Sequence, residues 1–454
     1  MRGKPSVFAR GLAGAAVLAG LGAAAARASD LDQFGFGARG AAMGSAMSGV
    51  ATEFDATYYN PAGLALARDS AVVLGFSYAG YLFDYESEAR GRAADERTER
   101  QQPLSAFTLG LNARLGREGW PGRLGVGFGL FLPTRQLVGT QVQTAPGEPQ
   151  FFLYGERRDK VGVLPAVAVR ILPWQGEEGT PKLSLGLGAT VLSDLQGSFV
   201  FDLSGASTEP AVRTEIKLTH DVAPNAGIFF VPAPWLTLGV AYRGELSLKA
   251  ELPVTIDLDG DGVGDFPLDL EAVTLFQPQQ LALGLAIDPV PALTIALDLT
   301  WQNWSAFEDP FITVRPVLGQ TDPDFDDALV PRAGIEWRAS DAVALRAGYW
   351  FQPTPIPEQR GETNLLDNDK HVFTLGVGWT WWSTHERFFR SPDGTIQARS
   401  EDRRVLSLDA FVQWHHLVER RVDKRDPAAS GGVGASHRHG GEILHGGVQL
   451  AVHF

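Results

Sequence analysis

The feature that most constrains this chain is an alternation of apolar and polar side chains with a period of two residues. From Leu281 to Ile287 every second residue is aliphatic, and small or polar residues lie between them. The same pattern runs from Leu293 to Trp301 and from Phe373 to Trp381. Because successive side chains of a strand point to opposite faces of its sheet, the pattern predicts strands with one apolar face.

About fourteen segments alternate in this way, an even number, as bacterial membrane barrels require. They lie near residues 71–83, 104–116, 122–134, 160–172, 182–194, 210–232, 235–249, 278–288, 291–303, 328–339, 342–352, 370–382, 404–418 and 442–454. Long polar connections follow the odd-numbered segments and short turns follow the others, except for a long periplasmic turn predicted at 383–403. Soluble β-sandwiches also alternate. The even count, the loop asymmetry and the alternating C-terminus that ends on Phe454 favour an all-β fold, a transmembrane antiparallel β-barrel.

Residues 1–28 have the pattern of a cleaved signal peptide. Basic residues precede an apolar run that ends in Ala26-Arg27-Ala28, an A-x-A cleavage site. The run is shorter than the roughly 20 apolar residues of a spanning helix. No later stretch approaches that length, so entry of the mature chain into a membrane requires a closed barrel.

Composition excludes several classes of function. The net charge is −14 and no basic stripe is present, which argues against nucleic-acid binding. The absence of cysteine excludes disulfides, thiol catalysis and thiolate metal sites. No nucleophile-base constellation, phosphate loop or HExxH motif stands out, so we expect no enzyme activity and no required cofactor.

Aromatic residues cluster near predicted strand ends or on outward faces. This position favours a girdle at the membrane surface over core packing for those that face outward. The residues are Trp337, Tyr349, Trp350, Trp379, Trp381, Trp382 and Trp414.

The stretch before the first strand, residues 29–70, does not alternate and is rich in small residues. It is too long for an idle linker in a compact protein. We therefore predict that it folds back into the lumen of the barrel.

The sequence resembles the FadL-like long-chain fatty-acid outer-membrane transporter family, which includes aromatic-hydrocarbon uptake porins. The resemblance is carried by residues 35–64 with Asn60-Pro61-Ala62, and by 302–307, 331–337, 345–349, 353–357 and 367–371, in that order. It implies a fourteen-stranded barrel over 71–454, closed by an N-terminal hatch at 29–70. It also implies a hydrophobic ligand that is caught at the extracellular loops, enters a lumenal pocket and leaves sideways at a kink in the third strand.

The third segment places Gly125, Gly127 and Gly129 on its inward face. Inward glycines weaken a strand and allow close backbone approach. They could form the lateral exit or could accommodate the hatch by packing, and the two interpretations are compatible.

Alternation also places Arg332, Arg346, Arg243 and Lys249 on the lumen face, beside Glu245, Asp298 and Glu336. One cation suffices to bind a fatty-acid carboxylate, whereas burial of the alkyl chain supplies most of the affinity. A salt-bridge network that braces the interior is the alternative for each of them. Arg332 and Arg346 are the foremost candidates for a ligand cation.

Two further clusters could bind metal. Asp257, Asp259, Asp261 and Asp265 have the spacing of a calcium loop but lack the glutamate at position twelve, so a Ca²⁺ site and an acidic solvated loop both stay open. His437, His439 and His445 lie in a Gly- and Ser-rich stretch without carboxylates at ligand spacing, which favours a mobile polar loop.

These observations predict passive transport of long-chain fatty acids or similar hydrophobic compounds across the bacterial outer membrane. Uptake of aromatic or alkane hydrocarbons, and a structural or adhesion barrel whose hatch never opens, are the alternatives. We expect a monomer whose C-terminal strand is read by the barrel-assembly machinery and whose surface contacts outer-membrane lipid.

Overall fold

A computed structural model describes residues 30–87, 102–115, 124–134, 150–154, 160–172, 181–201, 212–256, 266–307, 313–315, 324–360, 365–390, 396–424 and 436–454. The predicted signal peptide and the Asp257–Asp265 loop lie outside these ranges. The strands within them, numbered in chain order, are β1 (Ala71–Ser87), β2 (Leu104–Leu115), β3 (Leu124–Pro133), β4 (Gln150–Phe151), β5 (Val161–Leu172), β6 (Lys182–Phe201), β7 (Val212–Ala233), β8 (Leu236–Arg243), β9 (Leu246–Ile256), β10 (Phe266–Gln277), β11 (Gln280–Val290), β12 (Leu293–Gln302), β13 (Thr313–Arg315), β14 (Ala328–Arg338), β15 (Val343–Gln352), β16 (Leu365–Leu366), β17 (Lys370–Arg390), β18 (Ile396–Val422) and β19 (His437–His453).

Fourteen of these strands form a closed antiparallel barrel, in which each strand pairs with the next along the chain and β1 pairs with β19. The remaining strands, β4, β9, β10, β13 and β16, form two small sheets outside the wall. The predicted fold class is therefore confirmed, and the weakly bounded segment at 210–232 becomes β7.

The alternation in sequence is an alternation between the outside and the inside of the barrel. On β11, Leu283 is 50% exposed whereas its neighbour Ala282 is 2% exposed. Such rows of exposed Leu, Val and Phe would be unstable in water but match a hydrocarbon surround.

The aromatic residues follow the same rule with one exception. Trp337, Trp379, Trp381, Trp382 and Trp414 are exposed on the outside, as a girdle requires. Trp350 is only 1% exposed and faces inward, so the girdle prediction is wrong for it. Trp337 lies at the end of β14, beside the turn to β15, and faces outward. Trp350 lies near the far end of β15, where the alternation of that strand places it on the inward face.

The two ends of the barrel differ. The short-turn end carries the connections after β2, β5, β7, β11, β14 and β17, and the long-loop end carries the others, where both small sheets belong. The predicted long turn at 383–403 is wrong, because β17 and β18 continue as a paired hairpin from Trp382 opposite Arg404 to Arg390 opposite Ile396.

The prediction of a mobile loop at His437, His439 and His445 is also wrong. All three are buried residues of β19, opposite Ser87, Tyr85 and Ala79 of β1. Glycine lowers strand propensity only modestly, and pairing on both edges of β19 outweighs it.

Residues 30–70, called the N-terminal segment below, pack inside the barrel. They contain α1 (Asp30–Phe34), α2 (Ala38–Ala42), α3 (Ala56–Tyr59) and a 3₁₀ helix at Pro61–Leu66. Helices this short are not stable alone, so the surrounding wall determines their conformation. No helix among the described residues has the length and apolar character needed to cross a membrane.

Candidate functional site

The first contact of the N-terminal segment with the wall is a row of residues with little or no side chain. Neighbouring strands align Gly125, Ala168, Gly186, Gly227 and Ala241 on the inward face. A Cβ at Gly186 would overlap the backbone of Pro61 and Ala62, and one at Gly227 would overlap the Asn60 side chain. The chain turn at Asn60–Ala62 therefore lies directly on the wall backbone.

Asn60, which the resemblance assigns to the hatch, has a defined local role. Its Oδ1 accepts a hydrogen bond from Ala62 N (3.2 Å) and caps the 3₁₀ helix, and Pro61 occupies the first turn. Its Nδ2 donates to Ser48 O (2.8 Å) and to Ile228 O of β7 (3.0 Å). One side chain thus joins two parts of the segment to the wall.

The third-strand glycines face inward against this segment. A Cβ at Gly125 would overlap the Leu64 carbonyl, one at Gly127 would press on Leu64 and Thr57, and one at Gly129 would press on Phe36. β3 itself pairs with β2 and with β5 without a register shift. This geometry gives the packing interpretation direct support.

The second contact lies across the barrel and is ionic. Arg39 of α2 donates two hydrogen bonds to Glu336 of β14 (2.8 and 2.9 Å). Arg346 of β15 donates to the same carboxylate (2.7 Å) and to Asp409 of β18 (2.5 Å). Burial alone would lower the pKa of Arg39, but the Glu336 carboxylate outweighs burial and holds that pKa above its ordinary value, so Arg39 stays charged.

Wall side chains also hold the segment backbone on this side. Asp298 Oδ2 accepts from Met47 N (3.0 Å) and Ser48 N (2.8 Å). Thr374 Oγ1 donates to Ala42 O (2.7 Å), and Gln413 Nε2 donates to Phe34 O and Ala41 O (3.0 and 2.9 Å). These bonds satisfy backbone groups that four- and five-residue helices leave open.

The four predicted lumen cations do not converge on one site. Arg346 is held by two carboxylates, as described. Arg332 donates to Thr300 Oγ1 (2.7 Å), and Arg243 donates to Gln280 Oε1 (2.6 Å) and lies over the Tyr58 ring. The placement of Lys249 on the lumen face is wrong, because β8 ends at Arg243 and Lys249 belongs to β9 outside the wall.

Sequence reasoning missed Lys370, a buried lysine at the start of β17. Its Nζ bonds to Gln33 Oε1 and donates to Tyr154 OH (3.3 Å). Its surroundings in sequence, Asp367 to His371, look like a polar loop. The alternation that continues through Val372 and Thr374 was the available signal for its inward position.

Above the segment, at the long-loop end, the interior is filled by aromatic side chains. One group surrounds Phe34, and a second lies beneath the small sheets. They are Phe34, Tyr81, Phe83, Phe151, Tyr154, Trp350 and His415 in the first group, and Phe152, Phe276, Trp304, Phe307 and Phe325 in the second. A cavity of about 30 Å³ lies against Phe34.

Below the segment, at the short-turn end, lies an open cavity of about 960 Å³ whose lining is mainly polar and includes many charged residues. In it Arg404 contacts Glu53 (2.5 Å) and Asp69 (3.3 Å). Burial raises the pKa of the Asp55 carboxyl to about 6, although the Arg39 charge opposes the shift. This end suits water and ions rather than a hydrocarbon.

No metal site is evident in the described ranges, where no three His, Asp or Glu side chains come together. The calcium prediction for Asp257, Asp259, Asp261 and Asp265 falls outside them and stays a prediction. Calorimetric titration with Ca²⁺ tests it.

Comparison with known proteins agrees with this architecture. Residues 181–386 match the family model described as "Outer membrane protein transport protein (OMPP1/FadL/TodX)". Alkane uptake protein A of Marinobacter nauticus is 26% identical over 387 residues, covering 81% of this chain and 79% of that protein.

Solved structures share the fold at low identity. A Pseudomonas aeruginosa FadL homologue has a TM-score of 0.57 at 14% identity, with 96% of this chain and 99% of that chain covered. The P. putida toluene transporter TodX has a TM-score of 0.53 at 16% identity, with 93% and 99% covered. The family is described by transport rather than by an enzymatic reaction. Over most of its length the chain is similar to FadL-like outer-membrane transport proteins.

Proposed function

We propose that this protein carries hydrophobic molecules inward across the bacterial outer membrane, and that the N-terminal segment is the hatch that closes its lumen. The observation that carries this proposal is the contrast along the barrel axis. Aromatic side chains fill the interior above the segment, and a charged cavity lies below it. A polar solute would find the upper half unfavourable, whereas an apolar one gains free energy by burial there.

Within that class, we propose alkanes and related hydrocarbons as the preferred cargo. A relative that spans most of this chain is named an alkane uptake protein. Of the predicted cations, Arg346 is already held by carboxylates and Arg332 and Arg243 by polar groups. A neutral hydrocarbon needs none of them.

Long-chain fatty acids are the second candidate, and Lys370 is the observation in their favour. It is a buried ammonium group beside the aromatic group around Phe34. A carboxylate that replaced Gln33 as its partner would form a charge-assisted hydrogen bond.

We further propose that the cargo leaves sideways through the wall near the third strand. The charged cavity at the short-turn end, taken as periplasmic, disfavours an axial exit for an apolar molecule. Sideways exit delivers it directly into the hydrocarbon of the membrane. In this proposal the long-loop end is extracellular, as barrel topology generally has it.

Uptake by cells that produce the protein tests the function. We expect labelled hexadecane to enter faster than in cells with the empty vector, with toluene and oleate as comparison cargos. If long-chain fatty acids are a cargo and bind at Lys370, Lys370→Met should lower oleate uptake and leave hexadecane uptake unchanged. If none of the three cargos moves or binds, the transport proposal fails and a structural or adhesion barrel becomes the better account.

A further inference from the structure

Hydrogen bonding between β5 and β6 is interrupted in the middle of the wall. Val163 pairs with Val191 and Ala166 pairs with Gly188 in one continuous register, but in the described ladder Leu164 and Pro165 have no partner on β6. The residue that the register places opposite Pro165 is Ala189, and Ala189 pairs on its other side with Pro224 of β7. Proline has no N–H to donate, which is why it is unusual inside a sheet.

The pairing of β7 with β8 also ends at the level of Pro165 and Ala189. Pairing between β7 and β8 starts at Asn225 opposite Arg243, and Gly244 N then donates to Pro224 O (2.9 Å) as the chain leaves the wall. Beyond this point β7 has β6 as its wall partner. The wall ladder is therefore incomplete on both sides of the Ala189–Pro224 pair.

Inside the barrel, this region lies close to a direct backbone contact with the N-terminal segment. The row from Gly125 through Ala168 and Gly186 to Gly227 lies within a few residues of Pro165 along each strand. Because Asn60–Ala62 rests on wall backbone there, a single backbone layer separates the segment from the outer surface.

Outside the barrel, the wall behind Ala168, Gly186 and Gly227 forms an apolar groove of about 500 Å³, which reaches Val167 and Leu187, two residues from Pro165 and Ala189. This volume lies within the ~300–1,000 Å³ of ordinary small-molecule sites. The small side chain of Ala226 lies between Leu187 and Tyr242 in the cross-strand register and makes the groove's floor. The other outward residues along it are Leu124, Val167, Val169, Leu185, Ile228 and Val240.

From these observations, and resting on the proposed function, we propose that the lateral exit opens between β5 and β6 at Pro165. The groove then receives the alkyl chain of the cargo as it passes into the membrane. Withdrawal of the Asn60–Leu66 turn from the glycine row would clear the inner side of this opening. The two edges of the exit would then be β5 and β6, and continuous β3 would lie one strand away from it.

A reversible disulfide between β5 and β6 tests this proposal. The native chain has no cysteine that could form a competing disulfide. Pro165→Cys with Ala189→Cys places two thiols directly opposite, within the Cα separation that a disulfide spans. Leu111→Cys with Phe128→Cys on β2 and β3, and Leu283→Cys with Leu299→Cys on β11 and β12, are matched outward pairs. Heat-modifiable gel migration verifies that each variant is folded.

We expect oxidation of the β5–β6 pair to lower hexadecane uptake by about tenfold or more, and reductant to restore it, because a gate that cannot open limits the rate. The two control pairs should transport equally in both redox states. Full uptake with the β5–β6 pair oxidised, or a block only in the β2–β3 pair, overturns the proposed exit while transport itself stands. A wild-type protein that moves no hydrocarbon overturns both proposals.

Discussion

The N-terminal segment meets the barrel wall on two sides, and the two contacts differ in kind. Toward β14, β15, β17 and β18 it is held by the Arg39–Glu336 ion pair and by side chains that bond its backbone. Toward β3, β5, β6 and β7 it rests on glycine and alanine and on the uncharged hydrogen bond from Asn60 to Ile228 O, and residues 60–66 of the segment carry no charge.

This difference suggests a fixed side and a releasing side. A buried ion-pair network breaks only at high cost once formed. Van der Waals contact with a bare backbone depends on close fit and is lost stepwise as groups separate. A segment attached in this way would pivot away from β5 and β6 while staying on β14 and β18.

The largest effect is expected at Glu336, the shared partner of Arg39 and Arg346. Glu336→Ala leaves the buried Arg346 and the partly buried Arg39 without their shared carboxylate and should cost about 3–5 kcal/mol in the free energy that holds α2 in place. Amide exchange of α2 measures this cost. Glu358→Gln, which removes an ion pair whose glutamate side chain is 42% exposed, is the control and should change exchange by at most about 1 kcal/mol. Equal effects of the two would mean that the fixed side is not ionic.

The next effect depends on pH and involves Asp55. Its folded-state pKa of about 6 exceeds the ordinary value of 3.8, so the ionised form destabilises the packed segment above pH 6 and protonation relieves this as the pH falls. Asp55→Asn should therefore stabilise the segment by about 3 kcal/mol near pH 8. The gain should shrink through pH 6 and vanish near about pH 4.

Limited proteolysis of the segment at pH 8 and pH 5 follows this change. Asp326→Asn, at an exposed position of the long-loop end, serves as the matched control and should behave like the wild type. A pH-independent benefit of Asp55→Asn would contradict the assigned ionisation.

A smaller effect is expected on the releasing side. Gly186→Ala inserts a methyl group against Pro61 and Ala62 and should cost about 1–3 kcal/mol through overpacking. Gly80→Ala on β1, where the nearest atom is Tyr78 Cε1 at 3.8 Å, is the control. The hydrogen-exchange rates of the Ala62–Leu66 amides distinguish the two variants, since only Gly186→Ala should change them. If Gly186→Ala behaves like Gly80→Ala, the glycine row is not a contact surface.

The wall could be predicted from sequence because its signal is local. Residues such as Leu281 and Leu283 show their face directly through the period of two, and lipid outside the barrel keeps that period uninterrupted. The interior position of residues 29–70 followed from their lack of this period. The family resemblance then supplied the hatch interpretation.

The errors arose where long-range pairing decides the outcome. His437 and His439 looked like loop residues because glycine and serine surround them, yet pairing with β1 makes them strand. The lumen-face prediction for Lys249 extended the alternation of β8 past Gly244, but the chain leaves the wall there. The interruption at Pro165 depends on which residue of β6 lies opposite, and local sequence does not contain that register.

Hydrogen exchange of the protein in lipid nanodiscs, with and without hexadecane, most directly tests the difference between the fixed and the releasing side of the N-terminal segment. The account predicts that hexadecane speeds exchange in Ala62–Leu66 and in the facing residues of β5 and β6. Exchange in α2 and at Met47 and Ser48, which Asp298 holds, should stay unchanged. Faster exchange on the α2 side, or equal release of both sides, would contradict it.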